Sequence, residues 1–160
     1  MSYQENYKRA SDTRQAARSA QAKQSEQTRS PYGTQSARPM QAKPLPGDYV
    51  SEAERLALSG SLKITTSKLR NLFSLLTEPY NEAMRRNSST LSAEQMLALQ
   101  SARVRMVYEC AREQEVMLFA NATQIIPYLL DVGNSRDKLV NYYHYMEALI
   151  AFIRYRESLN

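Results

Sequence analysis

The stretch Leu62-Lys63-Ile64-Thr65-Thr66-Ser67-Lys68-Leu69-Arg70-Asn71-Leu72-Phe73 divides the chain: a polar part precedes it and helical pattern follows it. Thr65 and Thr66 stand directly ahead of Leu69, Leu72, Phe73, Leu76, Tyr80 and Ala83, whose spacing of three and four residues is one face of a helix. One of the threonines is expected as the N-cap, its hydroxyl accepting an otherwise unpaired first-turn amide, a contact worth about 1 kcal/mol. The spacing predicts a helix over residues 67–86. Pro79 lies inside it, and a proline there removes one backbone donor and clashes with the turn before it, so a kink or a break after Glu78 is expected.

Upstream, residues 1–47 are rich in Ser, Gln, Ala, Arg and Thr, contain almost no aliphatic side chain larger than Ala, and close with Pro39, Pro44, Pro46 and Gly47. Such a segment buries too little apolar surface to offset a backbone-ordering cost of roughly 1–2 kcal/mol per residue, so residues 1–47 are expected to be a disordered basic tail and residues 48–160 the folded domain. Residues 12–27 have helix-forming composition but no apolar stripe to dock. The tail holds eight Lys or Arg against three acids, and the rest of the chain has thirteen of each, so the tail carries the whole net charge of +5. Its two readings are a solubilising tail and a sequence-independent electrostatic arm for RNA. Because the domain is neutral, overall charge does not argue for nucleic-acid binding there; local placement must.

Three or four further helical segments can be read in the domain. Residues 48–58 predict a short helix with Val50, Ala53, Leu56 and Ala57 inward, ended by Ser59-Gly60. After the linker Ser88-Ser89-Thr90, Ser92 and Gln95 have capping-box spacing. The helix that starts there meets no Gly or Pro before Pro127, so it is either one long helix or two separated near Gln114, and typical lengths favour the break. Leu118, Phe119, Ala122, Ile126, Leu129 and Leu130 form the stripe of the later part, which Gly133-Asn134 terminates. Ser135 is the expected cap of a last helix over 136–157, with Leu139, Tyr142, Tyr143, Met146, Leu149, Ile150 and Ile153 on a broad apolar face. Val140, Ala148, Ala151 and Phe152 make a narrower second face, as expected of a helix surrounded by neighbours or used at a subunit contact. No strand-period alternation or hairpin signal occurs. The expected fold is all-α, a compact bundle of four to five helices.

A single cysteine, Cys110, excludes an intramolecular disulfide framework and lacks the neighbouring Cys or His of a zinc site. No apolar run is long enough for a membrane span, and no signal-peptide core is present, so cytoplasmic residence is the expectation. No nucleophile, acid/base pair or phosphate-cradling glycine loop stands out, and the lone His144 sits among tyrosines as a structural residue, so neither an enzyme nor a cofactor is implied. The chain has eleven tyrosines, and most of those in the domain lie on core-facing stripes and suit packing better than base stacking.

Basic residues are the informative class. Arg105 and Arg112 are seven apart and project from nearly the same side of one helix, roughly 10 Å apart, where a phosphate strand can meet them. Arg103 falls between Met96, Leu99, Val107 and Cys110, and there must snorkel, pair with an acid such as Glu147, or reach a ligand. Lys68 and Arg70 are two apart and cannot share one line of a helix surface. Lys63, with first-turn amides and the Thr hydroxyls, can complete a phosphate site at a helix N-terminus. Arg154 and Arg156 can serve the helix dipole.

The run Ile64-Thr65-Thr66-Ser67-Lys68-Leu69-Arg70 resembles the start of the conserved domain in the small subunit of type III-A CRISPR effector complexes, the Csm small-subunit family. Tyr142-Tyr143 through Glu147-Ala148-Leu149-Ile150-Ala151-Phe152 resembles that family's closing helix, and Tyr108-Glu109-Cys110-Ala111-Arg112 its central tyrosine followed by arginine. The family's usual histidine after the last aromatic is replaced by Ile153. The resemblance implies a non-catalytic subunit present in several copies along a crRNA-containing complex, lining the channel where target single-stranded RNA pairs with the guide. Sequence would then be read by base pairing and backbone by the protein. It implies contacts with other copies, the repeated backbone subunit and the large polymerase-like subunit, and singles out Lys68, Arg105 and Arg112 among the candidate RNA contacts Lys63, Lys68, Arg70, Arg103, Arg105, Arg112 and Arg154. The alternatives are a small subunit of another CRISPR type and a helical protein-interaction adaptor with no role in RNA binding.

Overall fold

The computed structural model describes residues 39–159, and the compact helical unit begins at Pro39. Residues 1–38, with the possible helix at 12–27, lie outside the described residues. Six helices follow in order: α1 (Tyr49–Leu58), α2 (Thr66–Arg85), α3 (Ala93–Arg112), α4 (Gln114–Thr123), α5 (Ile125–Val132) and α6 (Arg136–Ser158). The class is all-α, as the sequence led one to expect. Among the described residues the only β pairing is an isolated bridge between Thr90 and Ser135.

Three helix starts follow from side chains acting on their own backbone. Thr65 is the cap of α2 and accepts from the Lys68 amide; Ser135 does the same for the Lys138 amide at α6. At α3 both halves of the capping box form, with Ser92 Oγ accepting from Gln95 N at 3.2 Å and Gln95 Oε1 accepting from Ser92 N at 2.8 Å.

The expected break near Gln114 falls at Glu113, whose extended backbone (φ −131°, ψ 114°) separates α3 from α4. A second, unforeseen break lies at Gln124, in the left-handed region at φ 56°, and it raises the helix count to six. The conformation is costly for a residue with a Cβ, and buried neighbours hold it. Thr123 Oγ1 donates to Phe119 O at 2.7 Å, Tyr145 Oη donates to Thr123 O at 2.8 Å, and Ile125 is fully buried. At Pro79, by contrast, α2 runs unbroken. Its one lost hydrogen bond is outweighed by Leu72, Leu76, Pro79 and Ala83, which bury the same face on both sides of the proline.

The post of the fold is α6, which packs against α1, α2 and α5, while α3 packs against α2, α4 and α5. Leu139, Tyr142, Tyr145, Met146, Leu149 and Ile153 of α6 are buried. Tyr143 and Ile150 pack half-buried against this core, as do Ala148 and Phe152 of the expected second face, so the chain's own neighbours account for much of that face. Tyr143 stacks on Tyr80 with centroids 3.8 Å apart and meets Phe73 at 4.6 Å; His144 lies beside both tyrosines, in keeping with a structural place.

Three expected inward positions are not buried. Val50 is exposed because Tyr49, one residue earlier, takes the inward place in the first turn of α1. Leu118 and Ala122 are exposed because α4, re-set by the break at Glu113, turns Val116, Phe119, Ala120 and Thr123 inward.

Long-range ties complete the unit. Leu91 N donates to Asn134 O and Arg136 N to Ser89 O, pairing the loop before α3 with the loop before α6. Residues 39–46 run as coil, with Lys43 N donating to Pro127 O at 3.0 Å and Leu45 packed on the core. Two arginines at opposite ends of α6 cap the C-termini of other helices, whose last carbonyls lack intrahelical partners. Arg136 Nε donates to Ala83 O of α2 at 3.1 Å. Arg156 donates to Ala57 O of α1 at 2.8 Å and to Leu62 O at 3.0 Å.

Candidate nucleic-acid interface

The outward flank of α3 carries Arg105 and Arg112 at the spacing read from the sequence. In helical projection Leu97, Val104 and Tyr108 form the line next to them, and these are 68%, 62% and 61% exposed. Arg105 is exposed and has no ion-pair partner among the described residues. Arg112 is engaged: its Nη2 lies 2.8 Å from Glu109 Oε2 and 3.1 Å from Glu113 Oε1, and its guanidinium stands 5.9 Å from the Tyr108 ring centroid. The Glu109 charge first, then the Glu113 hydrogen bond, raise its pKa further above the ordinary arginine value.

The cap at Thr65 places Lys68 on the first turn of α2, from where its ammonium reaches the joint between α3 and α4. There Lys68 Nζ contacts Glu113 Oε2 and lies 2.6 Å from Glu115 Oε1. Both are charge-assisted contacts between an ammonium and a carboxylate oxygen. Glu113, then Glu115, push the lysine pKa up, and Lys68, then Arg112, hold the Glu113 carboxyl below its usual range. Lys68 and Arg112 are thereby brought together through one shared carboxylate. Beside them opens a cleft of about 630 Å³, lined in part by Ser61, Lys63, Lys68, Leu118 and Phe119.

The remaining candidates are dispersed. Lys63 is exposed at the cleft, Arg70 is exposed on α2, and Arg154 is exposed near the end of α6. Arg103 is half-buried, and Glu147, its proposed acid, is exposed and makes no ion pair with it. The sequence reading missed the carboxylates that hold Lys68. Their spacing in the chain gives no signal, because Glu113 and Glu115 stand more than forty residues beyond it. Arg156 carried only a dipole signal, and its partners turn out to be the carbonyls of another segment.

Among the described residues no three His, Cys, Asp or Glu side chains are grouped to hold a metal ion, and no helix is long and apolar enough to cross a membrane. The described residues form a small all-helical unit. The family model described as Csm2 Type III-A matches residues 44–158. A protein of Mycobacterium tuberculosis named "CRISPR system Cms protein Csm2" is 35% identical over 112 residues, covering 68% of this chain and 90% of its own length. Proteins of the same name from Enterococcus italicus and Streptococcus thermophilus are 34% and 31% identical. They match 58% and 68% of this chain and 67% and 90% of their own lengths. The chain belongs to the Csm2 small-subunit family of type III-A CRISPR systems.

Proposed function

We propose that this chain is a non-catalytic subunit of a cytoplasmic type III-A effector complex, lining the channel in which target RNA is paired to crRNA. The observation that carries the proposal is the family match across residues 44–158, nearly the whole described bundle. Exposed cations on its surface suit that role, because Lys63, Arg70, Arg105 and Arg154 are not tied up in ion pairs among the described residues. They offer charge to a phosphate backbone without a pocket that reads bases. Lys68 and Arg112 add to this surface from the joint between α3 and α4. RNA cleavage and nucleotide chemistry then belong to the repeated backbone subunit and the large polymerase-like subunit.

Removing charge at Lys68, Arg105 and Arg112 together in the assembled complex is expected to weaken capture of a guide-complementary RNA at moderate salt. Every phosphate that the subunit no longer neutralises flattens the slope of log affinity against log salt by about 0.7. Unchanged affinity and unchanged slope would overturn the assignment.

Neighbouring copies of the chain are the second proposed partner, through the narrower face of α6. Of its members, Ala151 alone is exposed, whereas Phe152 packs on the core, so Phe152→Glu would report on folding. Ala151→Glu is expected to reduce self-association in light scattering with unchanged thermal stability. Equal scattering masses for the two proteins would remove this face from consideration.

A further inference from the structure

The joint between α3 and α4 gathers three carboxylates, Glu109, Glu113 and Glu115, around two cations, Lys68 and Arg112. The cluster therefore carries one net negative charge, although it contains two of the three residues expected to hold RNA. Lys68 is only about one-third exposed and sits between two carboxylates, while Lys63 shares the adjoining cleft with it and has no ion-pair partner among the described residues. A phosphate entering that cleft meets Lys63 freely but at Lys68 competes with two carboxylate oxygens already in place.

We infer that Glu113 and Glu115 act as an intramolecular competitor for RNA phosphate at Lys68, an acidic lock that lowers the grip of this subunit on the backbone. The inference rests on the proposed contact between Lys68 and RNA. The physical reason is symmetry of chemistry: carboxylate and phosphate oxygens accept the same charge-assisted hydrogen bonds from an ammonium. Whichever anion wins, the lysine keeps a partner, so exchange between them costs little compared with stripping a bare charge of its partners. The carboxylates are covalently tethered to the fold, so they occupy the lysine whenever RNA is absent. Glu113 is the extended residue between α3 and α4, and Glu115 lies in the first turn of α4. Glu113 N donates to Glu109 O and Glu113 O accepts from Met117 N, and the carboxylate takes part in neither bond, so it can give up the lysine with both kept.

The test measures binding of a guide-complementary single-stranded RNA to the assembled complex carrying variant small subunits, across a salt series. Glu113→Gln with Glu115→Gln keeps the shape of both side chains and removes the competing charge. One further phosphate contact releases about 0.7 counterion, so the expected result is about fivefold tighter binding at 0.1 M salt and a slope steeper by about 0.7. The same pair of changes in a Lys68→Met background is expected to give no such gain. Tightening of equal size in both backgrounds would overturn the lock, because the effect would then be general loss of negative charge. Unchanged affinity of the double Gln variant, with Lys68→Met alone weakening binding, would overturn the lock and leave the RNA contact standing. If Lys68→Met leaves the binding of the double Gln variant unaltered, the contact fails and the lock with it. Thermal unfolding of each variant chain separates these outcomes from loss of structure, which would lower affinity and cannot produce the expected gain.

Discussion

Arg156→Ala is expected to lower the unfolding free energy of the chain by about 2–3 kcal/mol, measured by urea denaturation. The guanidinium of Arg156 donates to the carbonyls of Ala57 and Leu62, at the end of α1 and in the link to α2. Ala57 is fully buried, so one of the abandoned acceptors lies where water does not readily replace the donor. Arg156→Lys should recover part of the loss, because an ammonium keeps the charge but cannot fork between two carbonyls as a planar guanidinium does. The exposed Arg154 is the internal control. A loss at Arg156 no larger than that at Arg154→Ala would show that the cap contributes nothing.

Leu149→Ala is expected to have the larger effect, about 2–5 kcal/mol by the same measurement. Leu149 is fully buried on α6, so truncation removes transfer free energy and leaves a cavity that helices packed around it can only partly close. Total stabilities of domains are about 5–15 kcal/mol, so one such change takes a substantial share. Ile150→Ala, one residue along and half-buried, should cost clearly less. Equal losses at the two positions would mean that the inward face of α6 has been misplaced.

How much of this could be read in advance depended on the range of the interactions. Thr65, Ser92 and Ser135 were legible as helix starts because each acts on its own backbone three residues away. The broad face of α6 was legible because burial repeats with the helix period, yet nothing in that pattern distinguishes Tyr145 from the tyrosines around it. It is fully buried, and its hydroxyl is satisfied by a carbonyl at Thr123. Gln124 has no preference for positive φ, so its break is imposed by packing and left no mark in the sequence. Pro79 reads as a point of weakness, and burial on both sides of it prevailed.

The candidate interface was legible in the same graded way. The common side of Arg105 and Arg112 follows from helix geometry alone. That Lys68 and Arg112 already hold carboxylates does not, since those pairs are made by the fold bringing α2 against the joint between α3 and α4.

The position of α6 in the chain has a consequence for how the molecule is made. The helix follows all of its partners in sequence, yet α1, α2 and α5 each bury their faces against it. A growing chain must therefore leave the faces that α1, α2 and α5 turn to α6 without that cover until α6 leaves the ribosome. Closing contacts this far apart in sequence slows the final step, and unburied apolar surface invites association in the meantime. Completion of the bundle is thus tied to synthesis of α6, and a nascent chain stalled before that point should be a target for chaperones and proteases.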